Sequence, residues 1–441
     1  MQLLNSTQSG FKVLEERRRL GQKIDGSAVK QMRQWIRRLG YTVSVSSNSP
    51  RQSSLKFVSQ TSDLNRLNIV HVAGTKGKGT TCAFANSILQ RYHQSHGIPR
   101  KIGLYTSPHL VAVRERIRIN SEPISEEKFT RYFFEVWNAL ESSAIRDGID
   151  PALKPSYFRF LTLMSFHVFL REDIDVAIYE VGVGGELDST NVVERPAVTG
   201  ITSLGIDHVA ALGDTIDKIA WHKAGIFKQG CPAFTVEQVP EAMEVLNQRA
   251  TEKHVELATV EISPSLQNVD IKPAEDFQRK NASLAVKLSF AVLEKLGVAI
   301  DHSLEGLPEQ FVQGLEGVVW RGRCENLKSG KQNWHLDGAH TEESLVVACS
   351  WFGRISKAKL VAVLYLPSFH LHVLISRMQG LPSRAHFQST VNTRCCVASE
   401  SSSSYHIRSL QVNFSARLVL HKYYTQRKFI QSWYVSKTPL H

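Results

Sequence analysis

The segment HVAGTKGKGTT, residues 71–81, contains the residue types that bind phosphate groups. Its glycines let backbone N–H groups approach phosphate oxygens, because no side chain stands in the way. Lys78 would place a positive charge between the β and γ phosphates of a nucleotide, and the Thr80 hydroxyl could ligate Mg²⁺. The spacing departs from the common GxxxxGK(S/T) motif, since a glycine separates the lysine from the hydroxyl. The alternative is a glycine-rich turn that binds no ligand.

Further ligands for Mg²⁺ are predicted at the carboxyl ends of three strands, where the ligands of parallel sheets collect. They are Ser107 in YTSPHL, Glu180 in YEVGVGG and His208 in LGIDH. Each also has an ordinary structural interpretation: Ser107 caps a turn, Glu180 pairs with a lysine, and His208 is a hydrogen-bonded core histidine. Their shared position at strand ends favours the metal site.

Two other motifs carry polar residues whose roles the pattern alone leaves open. Lys223 in WHKAGIFK ends a predicted helix, where the helix dipole favours a solvated lysine. Asp337 and His340 in LDGAH follow a predicted strand, yet these residues are also typical of a simple turn.

The elements that would position these residues alternate between strand and helix, which predicts a doubly wound α/β sheet. Short apolar runs rich in β-branched residues predict buried parallel strands. The predicted strands are 67–73, 102–106, 174–182 and 198–205, and the predicted helices are 125–147, 157–172, 214–224, 240–252 and 277–296.

The chain divides into four predicted segments. Residues 1–66 hold two helical stretches and a Ser-rich loop, and residues 67–299 form the α/β domain. The pattern restarts over 300–366 with strands at 334–340 and 358–366 around a helix at 341–353. The tail, 367–441, contains no Asp, only one Glu and no βαβ rhythm. A mis-spliced or frame-shifted C-terminus is our hypothesis for it.

Composition sets limits on the class of protein. The 441 residues suffice for two or three domains, and no apolar run is long enough to span a bilayer. The six cysteines show no zinc-like spacing. A net charge of +12 suits anionic small molecules, and no nucleic-acid-binding module is recognisable. We expect a cytoplasmic monomer without nucleic acid or membrane insertion, with a mitochondrial form as the alternative.

Taken in order, the motifs resemble those of the folylpolyglutamate synthases, relatives of the bacterial Mur peptidoglycan ligases. The resemblance extends over about residues 11–353, and the KGKGT form of the loop is one that this family uses. The matching segments are LEERRR, LGY, LNIVHVAGTKGKGTTCAF, GLYTSPHLVAVRERIRIN, YEVGVGGELDSTNVV, SLGIDHVAALGDTIDKIAWHKAGIFK, QRKNASLAV, WRGR and LDGAHTEESL.

The resemblance implies a P-loop-containing ATPase domain followed by a smaller Rossmann-like domain, which is incomplete here. It also implies four sets of site residues. The catalytic set is Lys78, Lys223, Asp337 and His340. The ATP-binding set is Gly74, Thr75, Gly77, Lys78, Gly79, Thr80, Asn281, Arg323 and Asp337. The metal set is Ser107, Glu180, His208 and a carbamylated Lys223. On the folate side lie Arg114 and Arg116.

The activity that the resemblance implies is ATP-dependent ligation of L-glutamate to the γ-carboxylate of a folate through an acyl phosphate. ATP and Mg²⁺ would take part, with a monovalent cation as a further candidate, and folate and glutamate would be the other small-molecule partners. Two alternatives stay open: a dihydrofolate synthase acting on dihydropteroate, and an ATP- or folate-binding variant impaired by the atypical tail.

Overall fold

The computed structural model describes residues 27–43, 62–300, 306–329, 332–339, 347–348, 350–352 and 354, together with four strands between residues 361 and 411. The chain divides into two compact units, Met1–Val319 and Trp320–His441. No described helix is long and apolar enough to cross a membrane.

An eight-stranded sheet forms the centre of the first unit, in the order β4-β3-β2-β5-β1-β6-β7-β8. Strands β2, β5, β1, β6, β7 and β8 run parallel, and only the β2–β3–β4 edge is antiparallel. The strands are β1 Val70–Ala73, β2 Ile102–Tyr105, β3 Ile117–Ile119, β4 Glu122–Pro123, β5 Val176–Glu180, β6 Val198–Ile201, β7 Ala233–Val236 and β8 Leu257–Val260.

Helices cover both faces of this sheet, so its central strands are fully buried and mostly apolar. One core cluster contains Met32, Phe133 and Phe160, and another contains Ala220 and Leu246. The helices are α1 Ser27–Arg38, α2 Lys78–His96, α3 Glu126–Arg146, α4 Tyr157–Arg171, α5 Val209–Leu212, α6 Ile216–Lys223, α7 Pro240–Glu252, α8 Asp276–Lys295 and α9 Glu309–Glu316.

The second unit contains a six-stranded sheet in the order β14-β13-β11-β12-β10-β9. Every strand pair in it is antiparallel. The strands are β9 Glu325–Ser329, β10 Gln332–Asp337, β11 Val361–Leu366, β12 Leu371–Ser376, β13 Arg394–Ser401 and β14 Ser404–Gln411.

The parallel sheet of the first unit confirms the doubly wound α/β prediction. The second unit differs from the Rossmann-like start that the resemblance implied, because its described strands pair antiparallel. The connections explain the difference: only four residues join β11 to β12 and two join β13 to β14. A parallel pair needs a crossover of a dozen or more residues, whereas an antiparallel pair needs only a short turn.

The division between the units also falls later than the predicted boundary at 299/300, between Val319 and Trp320. Helix α9 explains the shift, because it packs against α2 of the first unit so closely that a Cβ at Gly314 would come within 2.6 Å of the Ile88 Cα. Three predicted features fall wholly or largely on residues that the structure does not describe: the first helical stretch, the Ser-rich loop and the helix at 341–353.

Candidate functional site: a phosphate loop with two converging lysines

The turn between β1 and α2 requires glycine at two positions. Gly74 has φ +146° and Gly77, the N-cap of α2, has φ +92°. A side chain at Gly74 would overlap the hydroxyl of Thr202, and one at Gly77 would overlap the carboxamide of Asn281. The turn therefore takes the conformation that a phosphate loop needs, with a helix amino end behind it.

Hydrogen bonds of the backbone and of the Thr75 hydroxyl hold this loop against the segment that follows β6. The Thr75 and Lys76 amides donate to the Ser203 carbonyl at 3.0 and 3.1 Å. The Thr75 hydroxyl donates to the Gly205 carbonyl at 3.0 Å and accepts from the Gly205 amide at 3.1 Å. Thr75 thus serves as an anchor of the loop.

Two lysines from distant parts of the chain meet at one carbonyl oxygen. Lys78 Nζ donates to the Gly74 oxygen at 2.9 Å, and Lys223 Nζ donates to the same oxygen at 2.8 Å. Lys223 is only 3% exposed, and burial, followed by the nearby Lys78 charge, lowers its pKa well below the usual value. The solvated helix-end alternative for Lys223 is therefore wrong. A buried amine of lowered pKa can act as a nucleophile.

The predicted metal ligands Ser107 and Glu180 lie at the carboxyl ends of the neighbouring strands β2 and β5. The Ser107 amide donates to Glu180 Oε2 at 2.9 Å, and Glu180 is 6% exposed. A buried carboxylate is the kind of hard oxygen donor that Mg²⁺ prefers, and a serine hydroxyl is of the same kind.

The third predicted ligand, His208, is placed differently. It is exposed at the N-cap of α5 with φ +51°, so the core-histidine interpretation is wrong. Its amide donates to Asp207 Oδ1 at 2.8 Å, and Asp207 pairs with Lys76 of the phosphate loop at 3.8 Å. Among the residues described, no three His, Cys, Asp or Glu side chains form a metal-binding cluster.

The remaining predicted residues of the first unit have distinct environments. Gly79 and Thr80 lie in the first turn of α2. The buried Arg116 donates to His109 Nδ1 at 3.0 Å, and its guanidinium lies 5.5 Å from the Tyr157 ring centroid. Arg114 donates to the Ile124 carbonyl at 3.2 Å.

In the second unit, Arg323 and Asp337 are neighbours. Asp337 accepts from the Cys324 amide and the Ala339 amide, both at 2.8 Å. A Cβ at Gly338 would overlap the Arg323 guanidinium, so the WRGR and LDGAH motifs meet here. The position of His340 is outside the part of the chain that the structure describes.

Sequence reasoning missed Asp188, which is 6% exposed and accepts hydrogen bonds from the amides of Val183 and Thr190 at 3.0 and 2.9 Å. Burial raises the pKa of its carboxyl group. The run LDST contains the available signal, because Asp two residues before Thr is typical of an Asx turn.

Comparison with known proteins supports one family. Folylpolyglutamate synthase of Neurospora crassa is 56% identical over 359 residues, which is 81% of this chain and 65% of that protein. The enzyme of Saccharomyces cerevisiae (strain FostersO) is 46% identical over 389 residues, 85% of this chain and 67% of that protein. The chain thus spans about two thirds of the length of these curated relatives.

Solved structures show the same fold. A complex of a folylpolyglutamate synthase (FPGS) with AMPPCP and folate is 26% identical to this chain, with a TM-score of 0.60. The match covers 75% of this chain and 77% of that one. The Mycobacterium tuberculosis folylpolyglutamate synthase complexed with ADP is 26% identical, with a TM-score of 0.61. That match covers 81% of this chain and 75% of the Mycobacterium tuberculosis chain. No model of a protein family matches the sequence. From the identity and coverage of its relatives, the chain belongs to the folylpolyglutamate synthase family.

Proposed function

We propose that this chain is an ADP-forming ligase that attaches L-glutamate to the γ-carboxylate of a tetrahydrofolate, building folylpolyglutamates. The observation that supports this most directly is the convergence of Lys78 and Lys223 on the Gly74 carbonyl under a phosphate loop. Relatives over 40% identical bear the name of this activity, and one solved relative was captured with AMPPCP and folate.

The reaction must overcome the low reactivity of a carboxylate towards an amine. In the proposed first step, a γ-carboxylate oxygen of folate attacks the terminal phosphorus of ATP, the bond to the bridging oxygen breaks, and ADP leaves. The α-amine of glutamate then attacks the acyl phosphate, losing a proton as inorganic phosphate leaves. Lys78 and the loop amides would stabilise the charge on the transferring phosphoryl group.

Mg²⁺ is proposed at the Ser107–Glu180 pair, with His208 as a further ligand. Their hydroxyl, carboxylate and imidazole groups suit that ion. When bound, Mg²⁺ would supply charge neutralisation on the phosphates. No observation points to a place for a monovalent cation, and the proposal does not include one.

Lys223 is proposed to be carbamylated. The neutral amine, favoured by burial that lowers its pKa, attacks carbon dioxide, forms an N–C bond and releases a proton. The product is a carbamate, whose two oxygens share one negative charge in place of the positive charge of a lysine. This change would relieve the repulsion with Lys78 and add an oxygen ligand for a cation.

Roles for the other residues follow the same proposal. Asn281, beside Gly77, and Arg323 would contact the nucleotide, while Asp337 would act in catalysis with His340. Arg114 and Arg116 would face the folate. The other predicted domain limits, at 66/67 and 366/367, stay predictions, as do the monomeric state and the cytoplasmic location.

The activity assay should use purified protein with MgATP, glutamate and either tetrahydrofolate or dihydropteroate. We expect ADP release that needs both glutamate and tetrahydrofolate, and a product longer by one glutamyl residue. Turnover of dihydropteroate alone would instead support the dihydrofolate synthase. Nucleotide binding without any turnover would support the binding variant that the atypical tail suggests.

A further inference from the structure

A chain of buried hydrogen bonds connects the strand before the phosphate loop to the loop that follows Glu180. His71 of β1 is fully buried, and its Nε2 lies 2.8 Å from the Thr190 hydroxyl. That hydroxyl donates to Asp188 Oδ1 at 2.6 Å. Asp188 also accepts from the amides of Val183 and Thr190. All of these contacts on Asp188 come from donors, so its carboxyl group serves as an acceptor.

The proton positions follow from these contacts. The Thr190 hydroxyl has one proton, which it gives to Asp188, so it must accept a proton from His71 Nε2. His71 Nδ1 is then the unprotonated nitrogen. It is buried and has no hydrogen-bond partner among the described residues. Burial lowers the pKa of His71 to about 3, so the ring stays neutral in this arrangement.

The loop that Asp188 holds also contacts the end of α6. The Glu186 amide donates to the His222 carbonyl at 2.7 Å, and a Cβ at Gly185 would come within 2.8 Å of the Lys223 carbonyl. Asn191 Nδ2 donates to the Gly225 carbonyl at 3.2 Å. The loop therefore connects the end of β5, where Glu180 lies, to the backbone that carries Lys223.

We infer that Asp188 is a positioning residue that, through Thr190 and His71, fixes the phosphate-loop strand relative to Glu180 and Lys223. The inference rests on the proposed function for its catalytic consequence and on the hydrogen bonds alone for its structural consequence. Burying the unpaired His71 Nδ1 destabilises the folded state. The hydrogen bond from His71 Nε2 to Thr190, which connects β1 to the Asp188 loop, gives a reason for a histidine at this position.

The test compares Thr190→Val with Thr199→Val. Both threonines are fully buried in the first unit, and Thr199 lies opposite His71 in the β1–β6 pairing, but its hydroxyl donates to the Pro232 carbonyl and takes no part in the hydrogen bonds that join His71, Thr190 and Asp188. For Thr190→Val we expect kcat to fall on the order of tenfold to a hundredfold, with the KM for ATP nearly unchanged, because misplaced groups slow chemistry more than binding. Thr190→Ser should restore most of kcat, since it keeps the hydroxyl.

Hydrogen exchange gives a readout that does not depend on turnover. Amides of residues 182–191 should exchange faster in Thr190→Val and at the wild-type rate in Thr199→Val. Equal kcat losses in the two variants, or unchanged exchange in Thr190→Val, would overturn the inference. If the wild-type chain ligates no glutamate, the proposed function fails, and the exchange comparison alone decides whether Asp188 and Thr190 hold this loop.

Discussion

The two units place their polar groups in different ways. In the first unit, the atoms that meet at the site come from distant parts of the chain: Lys223 bonds to a carbonyl 149 residues away, and Ser107 to a carboxylate 73 residues away. In the second unit, Asp337 bonds to Cys324 only 13 residues away, within one hairpin. The first arrangement needs the whole sheet to be folded, whereas the second needs only β9 and β10.

This contrast predicts how far the effect of a substitution extends in each unit. A change at the phosphate loop should affect catalysis because several elements converge there. A change in the hairpin should disturb the surrounding structure only locally, since its contacts are made by neighbours in sequence.

The largest effect is expected from Lys78→Met. It removes the cation at the Gly74 carbonyl and should lower kcat on the order of a thousandfold, the scale seen when a group that stabilises transition-state charge is lost. ADP release in steady state measures it. Lys287→Met, at an exposed lysine of α8, is the control and should keep full activity. A loss below tenfold for Lys78→Met would argue against a phosphate role.

The next largest effect is expected on nucleotide affinity, and it is tested by comparing alanine variants of the two glycines that flank α2. Gly77 and Gly97 both have positive φ, at +92° and +70°, but only Gly77 has a neighbour that a methyl group would strike. Both alanine variants incur backbone strain of about 1 kcal/mol or more. We expect Gly77→Ala alone to weaken binding of a non-hydrolysable ATP analogue by at least about tenfold. Titration calorimetry measures the affinity, and equal affinities would contradict the loop assignment.

A smaller effect, on the local stability of the hairpin, is expected from Asp337→Asn. Asparagine has one acceptor oxygen in place of two, so it cannot accept from both the Cys324 and Ala339 amides. The hairpin should therefore lose about 2 kcal/mol, the cost of leaving a buried donor unpaired. Hydrogen exchange should quicken over residues 322–339 and stay unchanged around residues 74–80. Faster exchange at the phosphate loop would break the contrast between the units.

The smallest effect concerns the pH dependence of the first unit. Burial, together with Lys253 and Arg33, lowers the pKa of Lys228 to about 8 against the opposing charges of Glu186 and Glu194. The unfolded chain binds this proton up to a higher pH, so the free energy of unfolding should rise with pH between about 8 and 10. We expect a contribution of about 1 kcal/mol, since partial exposure reduces the full value.

Urea unfolding at several pH values measures that slope. Lys228→Met should flatten the rise between these pH values, whereas Lys287→Met should leave the wild-type slope. An unchanged slope in Lys228→Met would show that Lys228 titrates as an ordinary lysine.

The sequence predicted the parallel sheet because buried parallel strands have a clear apolar pattern, and it located the phosphate loop from its glycines and Lys78. It could not predict the burial of Lys223, because a helix-end lysine looks the same whether or not other elements cover it. Asp188 was missed for a similar reason: the LDST run indicates only a local turn, and His71, which Thr190 connects to Asp188, is more than a hundred residues away. The antiparallel pairing of the second unit follows from connection lengths, which become informative only when strand limits are known.

The central claim is that the terminal phosphoryl group of ATP passes to the γ-carboxylate of folate before glutamate attacks. Tetrahydrofolate labelled with oxygen-18 in that carboxylate, turned over with MgATP and glutamate, tests it directly. We predict one labelled oxygen in the inorganic phosphate released per ligation, detected by mass spectrometry. Unlabelled phosphate, or label appearing in AMP, would contradict the mechanism.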